Sequence, residues 1–409
     1  MRRSFALRAA VTATVAVAFA ASLAACGTGT VSEAKTPEPI HLGAIYDLTG
    51  SQSALDSPSL DGARLAVDRI NAAGGLLGRR VVLLERDGQT DTATVRADAV
   101  GLAADKVSAM IGLSDTTQVL AAAPVAARAG IPFVTSGATS PLLPKQVPDW
   151  LFLAGFGDNV QAAAAAEYAV DRLGVRRAAI LYDRDLDYTR LLKKYFAEAF
   201  AAYGGTVVFV RSFHSGERDI SAVLQRAAAG GDDEGDAGTT PIHAQLIYLA
   251  AGPADAGPLV RKLRAAGQPQ PIMGGDSFDN ASLIAAASAT GGQVYYTTHA
   301  ALGLANSTPA MRRFTAMYRE AYGRTPENAF AGLGYDAVNL VAKAIRRAKS
   351  ADPAKVRDAL QKTRAFAGVT GALSYAGNQH VPTKQVTIIR VDRTAQLVAE
   401  LVPAFVPAP

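Results

Sequence analysis

The 409-residue chain has one cysteine, one tryptophan and five histidines, and only 19% of its residues are charged. A single cysteine allows no internal disulfide, so the folded chain must be held by packing alone. The histidines, at 41, 214, 243, 299 and 380, are scattered. None forms a His-Glu-x-x-His pair or another zinc-ligand spacing. There is no Gly-x-Ser-x-Gly elbow, no phosphate loop ending in Gly-Lys-Ser/Thr, and no Gly-x-Gly-x-x-Gly after the first strand. Hydrolase, nucleotide-binding and dinucleotide-binding chemistry therefore lack their usual signatures, and no cofactor is expected. Basic runs are missing too, which argues against nucleic acid as a partner. Beyond the first residues no apolar run approaches the ~18 residues of a membrane-spanning helix.

What is present begins at the N-terminus. Arg2, Arg3 and Arg8 form a basic head, Ala9 to Ala21 is small and apolar, and Leu23-Ala24-Ala25-Cys26 closes the run. This is the layout of a secretory signal peptide over residues 1–25. Its ending resembles a bacterial lipobox, which implies lipidation of Cys26 and a membrane contact through that anchor only. Arg2-Arg3-Ser4-Phe5 is faintly similar to a twin-arginine signal. Removing residues 1–25 leaves 384 residues and lowers the formal charge from +5 to +2. That length suits two substantial cores. Residues 26–39, rich in Gly, Thr, Ser and Pro, read as a flexible tether.

From there short β-rich runs alternate with Ala-rich helical stretches. Strands are expected at His41–Leu48, Val81–Arg86, Val107–Leu113, Pro132–Thr135, Ala178–Tyr182, Val207–Phe213, Gln245–Ala250, Pro271–Gly274 and Val294–Thr298. Several are continuous apolar runs, as in strands buried on both faces of a parallel sheet. Ser57-Pro58 offers a cap and first-turn proline for a helix whose stripe is Ala63, Ala66, Val67 and Ile70, stopped by Gly74-Gly75. Asp158 precedes a second helix, Val160–Leu173. The alternation predicts an α/β fold of doubly wound, Rossmann-like parallel-sheet lobes. The acidic stretch Gly230–Thr240 lacks EF-hand spacing and reads as a solvated loop.

Four stretches, in this order and spacing, carry a family resemblance. They are Gly62-Ala63-Arg64-Leu65-Ala66-Val67-Asp68-Arg69-Ile70-Asn71 with Gly74-Gly75 and Asp87, and Ser114-Asp115-Thr116-Thr117-Gln118 through Ser136-Gly137-Ala138-Thr139. Ala179-Ile180-Leu181-Tyr182-Asp183 follows with Tyr188 and Gly216-Glu217-Arg218-Asp219 and Ser221, and last comes Met273-Gly274-Gly275-Asp276 with Asn280-Ala281-Ser282-Leu283. Over about Ile40 to Val402 the chain resembles the leucine/isoleucine/valine-type solute-binding proteins of ABC importers.

The resemblance implies a type I periplasmic-binding fold over residues 40–403, with crossovers near Gly155, Thr298 and Gly368. Lobe 1 would span about 40–155 and 299–368, and lobe 2 about 156–298 and 369–403. It also implies a monomeric, non-enzymatic protein outside the cytoplasm that closes on an amino acid and delivers it to ABC permease subunits. A stand-alone ligand-sensing module of the same fold is the alternative. Ser114 and Thr139 would hold the ligand carboxylate, the carbonyl of Gly137 and the carboxylate of Asp276 its ammonium, while Tyr188 closes over it and Phe330 forms an apolar wall. By residue type alone Ser114 serves equally as a helix cap, Thr139 as a turn residue, Asp276 as a cap and Phe330 as core. Gly252 and Leu55 stand where leucine-type members carry tyrosines, so the side-chain end of the pocket is expected to be reshaped.

Overall fold

The computed structural model describes residues 37–217, 243–375, 380–393, 395–403 and 405. Cys26, the signal and most of the tether lie outside these residues, as do Gly230–Thr240, Arg218, Asp219 and Ser221.

Two sheets organise the chain. The first runs β2-β1-β3-β4-β5, all parallel, from β1 (Ile40–Tyr46), β2 (Val81–Asp87), β3 (Met110–Gly112), β4 (Phe133–Thr135) and β5 (Leu151–Leu153). The second has the order β14-β13-β10-β9-β8-β6-β7. Its strands are β6 (Arg177–Asp183), β7 (Thr206–Phe213), β8 (Leu246–Ala250), β9 (Ile272–Gly274), β10 (Val294–Thr298), β13 (Val386–Val391) and β14 (Gln396–Val402). β13 pairs antiparallel with both β10 and β14, and the other pairs are parallel. A small hairpin, β11 (Phe366–Gly368) with β12 (Gly371–Leu373), completes the strands. The inner strands β4, β8 and β9 are buried along their whole length, as is the edge strand β5, which is why these segments are largely apolar. Among the described residues no helix is long and apolar enough to cross a membrane.

The chain passes between the two sheets after β5, after β10 and before β13. The third passage is a correction, because it falls between Tyr375 and Val386 instead of near Gly368. Phe366, Leu373 and Tyr375 pack in the core of the first sheet with Phe152 and Ile111, so the hairpin beyond Gly368 belongs to the first lobe. Two buried polar contacts tie the passages together. Tyr375 Oη donates to the carbonyl of Leu153, and Lys384 Nζ donates to the carbonyl of Ala154 and to Thr370 Oγ1. Burial pushes the Lys384 ammonium down to about 8 against the pull of Asp336.

The first helix also departs from expectation. It runs Ser53–Ala72 with Gln52 as its cap, so Pro58 lies inside it and not in its first turn. Proline has no N–H and would orphan the carbonyl of Ala54. Asn328 Nδ2 donates to that oxygen at 3.0 Å. The tertiary bond lets the helix start a turn earlier than the sequence signal suggests.

That helix crosses the helix Phe330–Ala348 at unusually close range. A Cβ at Gly62 would overlap the carbonyl oxygen of Ala331, and one at Gly334 would overlap that of Ser59. The two glycines bring backbone against backbone, and the first turns of both helices then reach the region between the lobes.

Candidate functional site

Local turn chemistry brings the first-lobe residues together. Thr135 Oγ1, at the end of β4, donates to the carbonyl of Leu113 and accepts from the N–H of Ala138 at 3.0 Å. This folds the turn carrying Gly137 and Thr139 onto Ser114. Gly137 fits only because it has no side chain: a Cβ there would lie 2.7 Å from Ser114 Cβ and 2.9 Å from Phe330 Cε1. The Ser114 hydroxyl is buried and meets no partner at strict hydrogen-bond geometry, although it interacts with the buried carboxyl of Asp56. The N-terminus of the helix Thr116–Arg128 is capped by Asp115, not by Ser114. The cap reading of Ser114 is thereby removed.

Thr139 is placed differently from the sequence expectation. Its Oγ1 donates to Asp158 Oδ1 at 2.6 Å, and its carbonyl accepts from the N–H of Asp158. Its one donor is therefore committed inside the protein. Asp158 is the first residue of the helix Asp158–Asp171, whose cap position is Gly157. Burial pushes its carboxyl up to about 8 against the Thr139 hydrogen bond.

Asp276 opens a short 3-10 turn, Asp276–Phe278, just after β9. Its Oδ1 accepts from Tyr188 Oη at 2.9 Å and from Gln161 Nε2 at 3.0 Å, and its Oδ2 lies 3.0 Å from His299 Nε2. Burial holds the His299 imidazole below its ordinary range. Facing a carboxylate, the neutral ring carries its proton on Nε2 and donates it. The ring stacks on Phe156 at 3.8 Å and meets Phe330 edge-on. A carboxylate has about four acceptor positions; three of those on Asp276 are filled, and one remains.

Ser114, Thr139, Tyr188, Asp276 and Phe330 all line one narrow cavity between the lobes. A water-sized sphere has only about 10 Å³ of it to move in, so the lobes are closed on one another. Contacts across the lobes include Thr139 with Asp158 and the N–H of Ala329 with Asp279 Oδ2 at 3.0 Å. Leu55 and Gly252, the two positions without the expected tyrosines, line the cavity as well. Gly137 stands behind Ser114 and is not part of the lining.

Sequence reasoning missed several further participants, Leu186, Pro253 and Ser277 of the lining among them. Gln52 and Asp115 line the cavity, while Gln161 and His299 hold Asp276 from behind. Only Gln161 left a trace, as the lone polar side chain between Val160 and the run Ala162–Ala166. Among the described residues no lysine, arginine or histidine lines the cavity, and no group of three or more His, Cys, Asp or Glu could hold a metal ion.

The profile of the periplasmic binding protein family matches residues 39–396. The Leu/Ile/Val-binding protein homolog 3 of Brucella melitensis biotype 1 is 27% identical over 354 residues, covering 86% of this chain and 91% of its own. Among solved structures, the branched-chain amino acid transporter substrate binding protein LivJ from Streptococcus pneumoniae, in complex with isoleucine, aligns with a TM-score of 0.79 and 29% identity. That alignment covers 90% of this chain and all of LivJ. A solute-binding protein of an ABC transporter from R. palustris, in complex with benzoate, shares the fold at a TM-score of 0.77 and 18% identity, covering 90% and 98%.

Proposed function

Because the chain belongs to the periplasmic binding protein family, we propose that it is the lipid-anchored, extracytoplasmic substrate-binding component of an ABC importer. Its ligand in this reading is an α-amino acid, captured by lobe closure and presented to permease subunits without chemical change. One observation carries the ligand class. The cavity is lined by the carboxylates of Asp115 and Asp276 and by no basic side chain. A ligand that is only an anion, as benzoate is, would bring a further negative charge beside them with nothing cationic to meet it. An amino acid brings its own ammonium for the remaining position on Asp276, and its carboxylate meets neutral donors at Ser114. The two groups sit on opposite lobes, so a ligand touching both favours the closed state and shifts an existing open–closed equilibrium. Calorimetry with amino acids against benzoates and 2-keto acids tests this reading; preference for any of the latter over every amino acid would overturn it.

Ser114 and Thr139 separate in this scheme. Hydrogen bonds to charged groups contribute about 1.5–3 kcal/mol each. Ser114→Ala is therefore expected to weaken amino-acid binding about ten-fold or more, with an unchanged melting point. Thr139→Ala is expected to act mainly through stability, since it strips a partner from the buried Asp158. Equal losses of affinity in both variants, without loss of stability in Thr139→Ala, would contradict this division.

The anchor reading rests on Leu23-Ala24-Ala25-Cys26. In Cys26→Ser the protein is expected to stay unprocessed by the lipoprotein peptidase or to leave the membrane fraction. The measurement is fractionation with mass spectrometry of the mature N-terminus. Identical soluble forms of wild type and variant would remove the anchor.

A further inference from the structure

The cavity lining includes two polar residues that the head-group scheme leaves unused. Gln52 is only 4% exposed and lines the cavity. Its backbone N–H is taken by Thr90, it gives no side-chain cap to the helix that begins at Ser53, and its amide has no hydrogen bond among the described residues. The amide is thus unpaired within the protein yet not sealed off, and in a residue that lines the cavity it is open to a ligand. Asp115, 5% exposed, lines the same cavity. Its Oδ1 accepts from the N–H groups of Thr117 and Gln118 at 2.8 and 3.1 Å, and Oδ2 stays outside this cap. Leu55, Leu186 and Pro253 supply apolar surface beside them, and Gly252 contributes no side chain.

We infer that this part of the cavity receives an amino-acid side chain ending in a primary amide. The inference rests on the amino-acid reading above and narrows it. The amide NH2 donates to Asp115 Oδ2, and the amide oxygen accepts from Gln52 Nε2. The methylene next to it lies against Leu55 and Leu186. An amide suits Asp115 better than a second ammonium does, because it donates without bringing another charge into a site where burial already raises the Asp115 carboxyl against its backbone hydrogen bonds. A wholly aliphatic side chain would give the Gln52 amide and Asp115 Oδ2 no ligand partner. Sites built to hydrogen-bond a group reject analogues that lack it far more strongly than apolar pockets reject a missing methylene.

Asparagine and leucine are close in size and shape, so this pair isolates the chemistry. Calorimetry on the purified protein is expected to give asparagine or glutamine at least about ten-fold tighter binding than leucine, isoleucine or valine. Asp115→Asn keeps the helix cap and is expected to fold normally while lowering asparagine affinity about ten-fold. Gln52→Leu is expected to lower asparagine affinity and raise that of leucine. An aliphatic amino acid that equals or exceeds both amides overturns the inference and leaves the amino-acid reading standing. Tightest binding of lysine or ornithine overturns the amide assignment, as does an equal effect of both variants on asparagine and leucine. Failure of every amino acid to bind the wild type overturns the inference together with the reading on which it rests.

Discussion

Asp276→Ala is expected to abolish measurable amino-acid binding, a larger loss than either hydroxyl variant gives. Three donors converge on this carboxylate: Tyr188 Oη, Gln161 Nε2 and His299 Nε2. Removing it leaves them facing one another in a buried site, and in the proposed complex leaves the ligand ammonium without a counter-charge. Breaking a buried charge pair by deleting one partner costs about 3–5 kcal/mol, or about two to four decades in Kd. Asp276→Asn separates charge from shape. Its carbonyl oxygen keeps the Tyr188 and Gln161 hydrogen bonds, so the fold should persist, while the missing charge should still weaken binding about ten-fold or more. Calorimetry with thermal melts of both variants decides the matter. Binding within about three-fold of wild type in the folded asparagine variant would show that the ammonium is met elsewhere.

The second large effect is on stability. Gly62→Ala and Gly334→Ala each place a methyl group inside a carbonyl of the opposing helix. No flexible side chain can move aside, so the helices Ser53–Ala72 and Phe330–Ala348 must separate. Overpacking of this kind costs about 1–3 kcal/mol and more where backbone is the obstacle. Once one substitution has opened the crossing, the second finds more room, so the pair should cost less than the two added together. Gly101→Ala, where a new Cβ meets nothing within 4 Å, should instead stabilise its helix by about 0.5–1 kcal/mol. Urea unfolding of the four variants tests the contrast. Wild-type stability in Gly62→Ala would mean that the close crossing is not required. The same separation should weaken ligand binding, because the first turns of these helices carry Leu55 and Phe330 into the cavity.

The strands were legible because burial on both faces writes them as apolar runs: β8, expected over Gln245–Ala250, is found over Leu246–Ala250. The weaker signals failed where tertiary contacts intervene. Pro58 reads as a helix start until Asn328, far along the chain, is seen to donate to the Ala54 carbonyl that the proline leaves without an N–H. The hairpin after Gly368 reads as second-lobe sequence until Phe366 and Leu373 are found in the first core. In the site, residue types and family resemblance pointed to Ser114, Tyr188, Asp276 and Phe330, which the fold gathers around one cavity. They gave no hint that Thr139 donates to Asp158, that His299 braces Asp276, or that Gln52 is left without a partner. Each depends on which distant strand ends and crossings meet, and that information is not local.

The late position of the hairpin and its cover helix also sets a timetable for synthesis. The strands of the first sheet are complete when Leu153 has been added, yet the helix Phe330–Ala348 that covers Phe152 and Ile111 is made much later, and Phe366, Leu373 and Tyr375 later still. A nascent chain leaving the ribosome therefore carries an unfinished first core through most of its elongation. Contacts of such long sequence separation form slowly, and domains normally fold as units once their residues are available. One face of the first sheet has no native cover before nearly the whole polypeptide exists, whereas the buried residues packed on the opposite face all lie between Ile45 and Leu153. Until then that face of the sheet stays without its helix and hairpin.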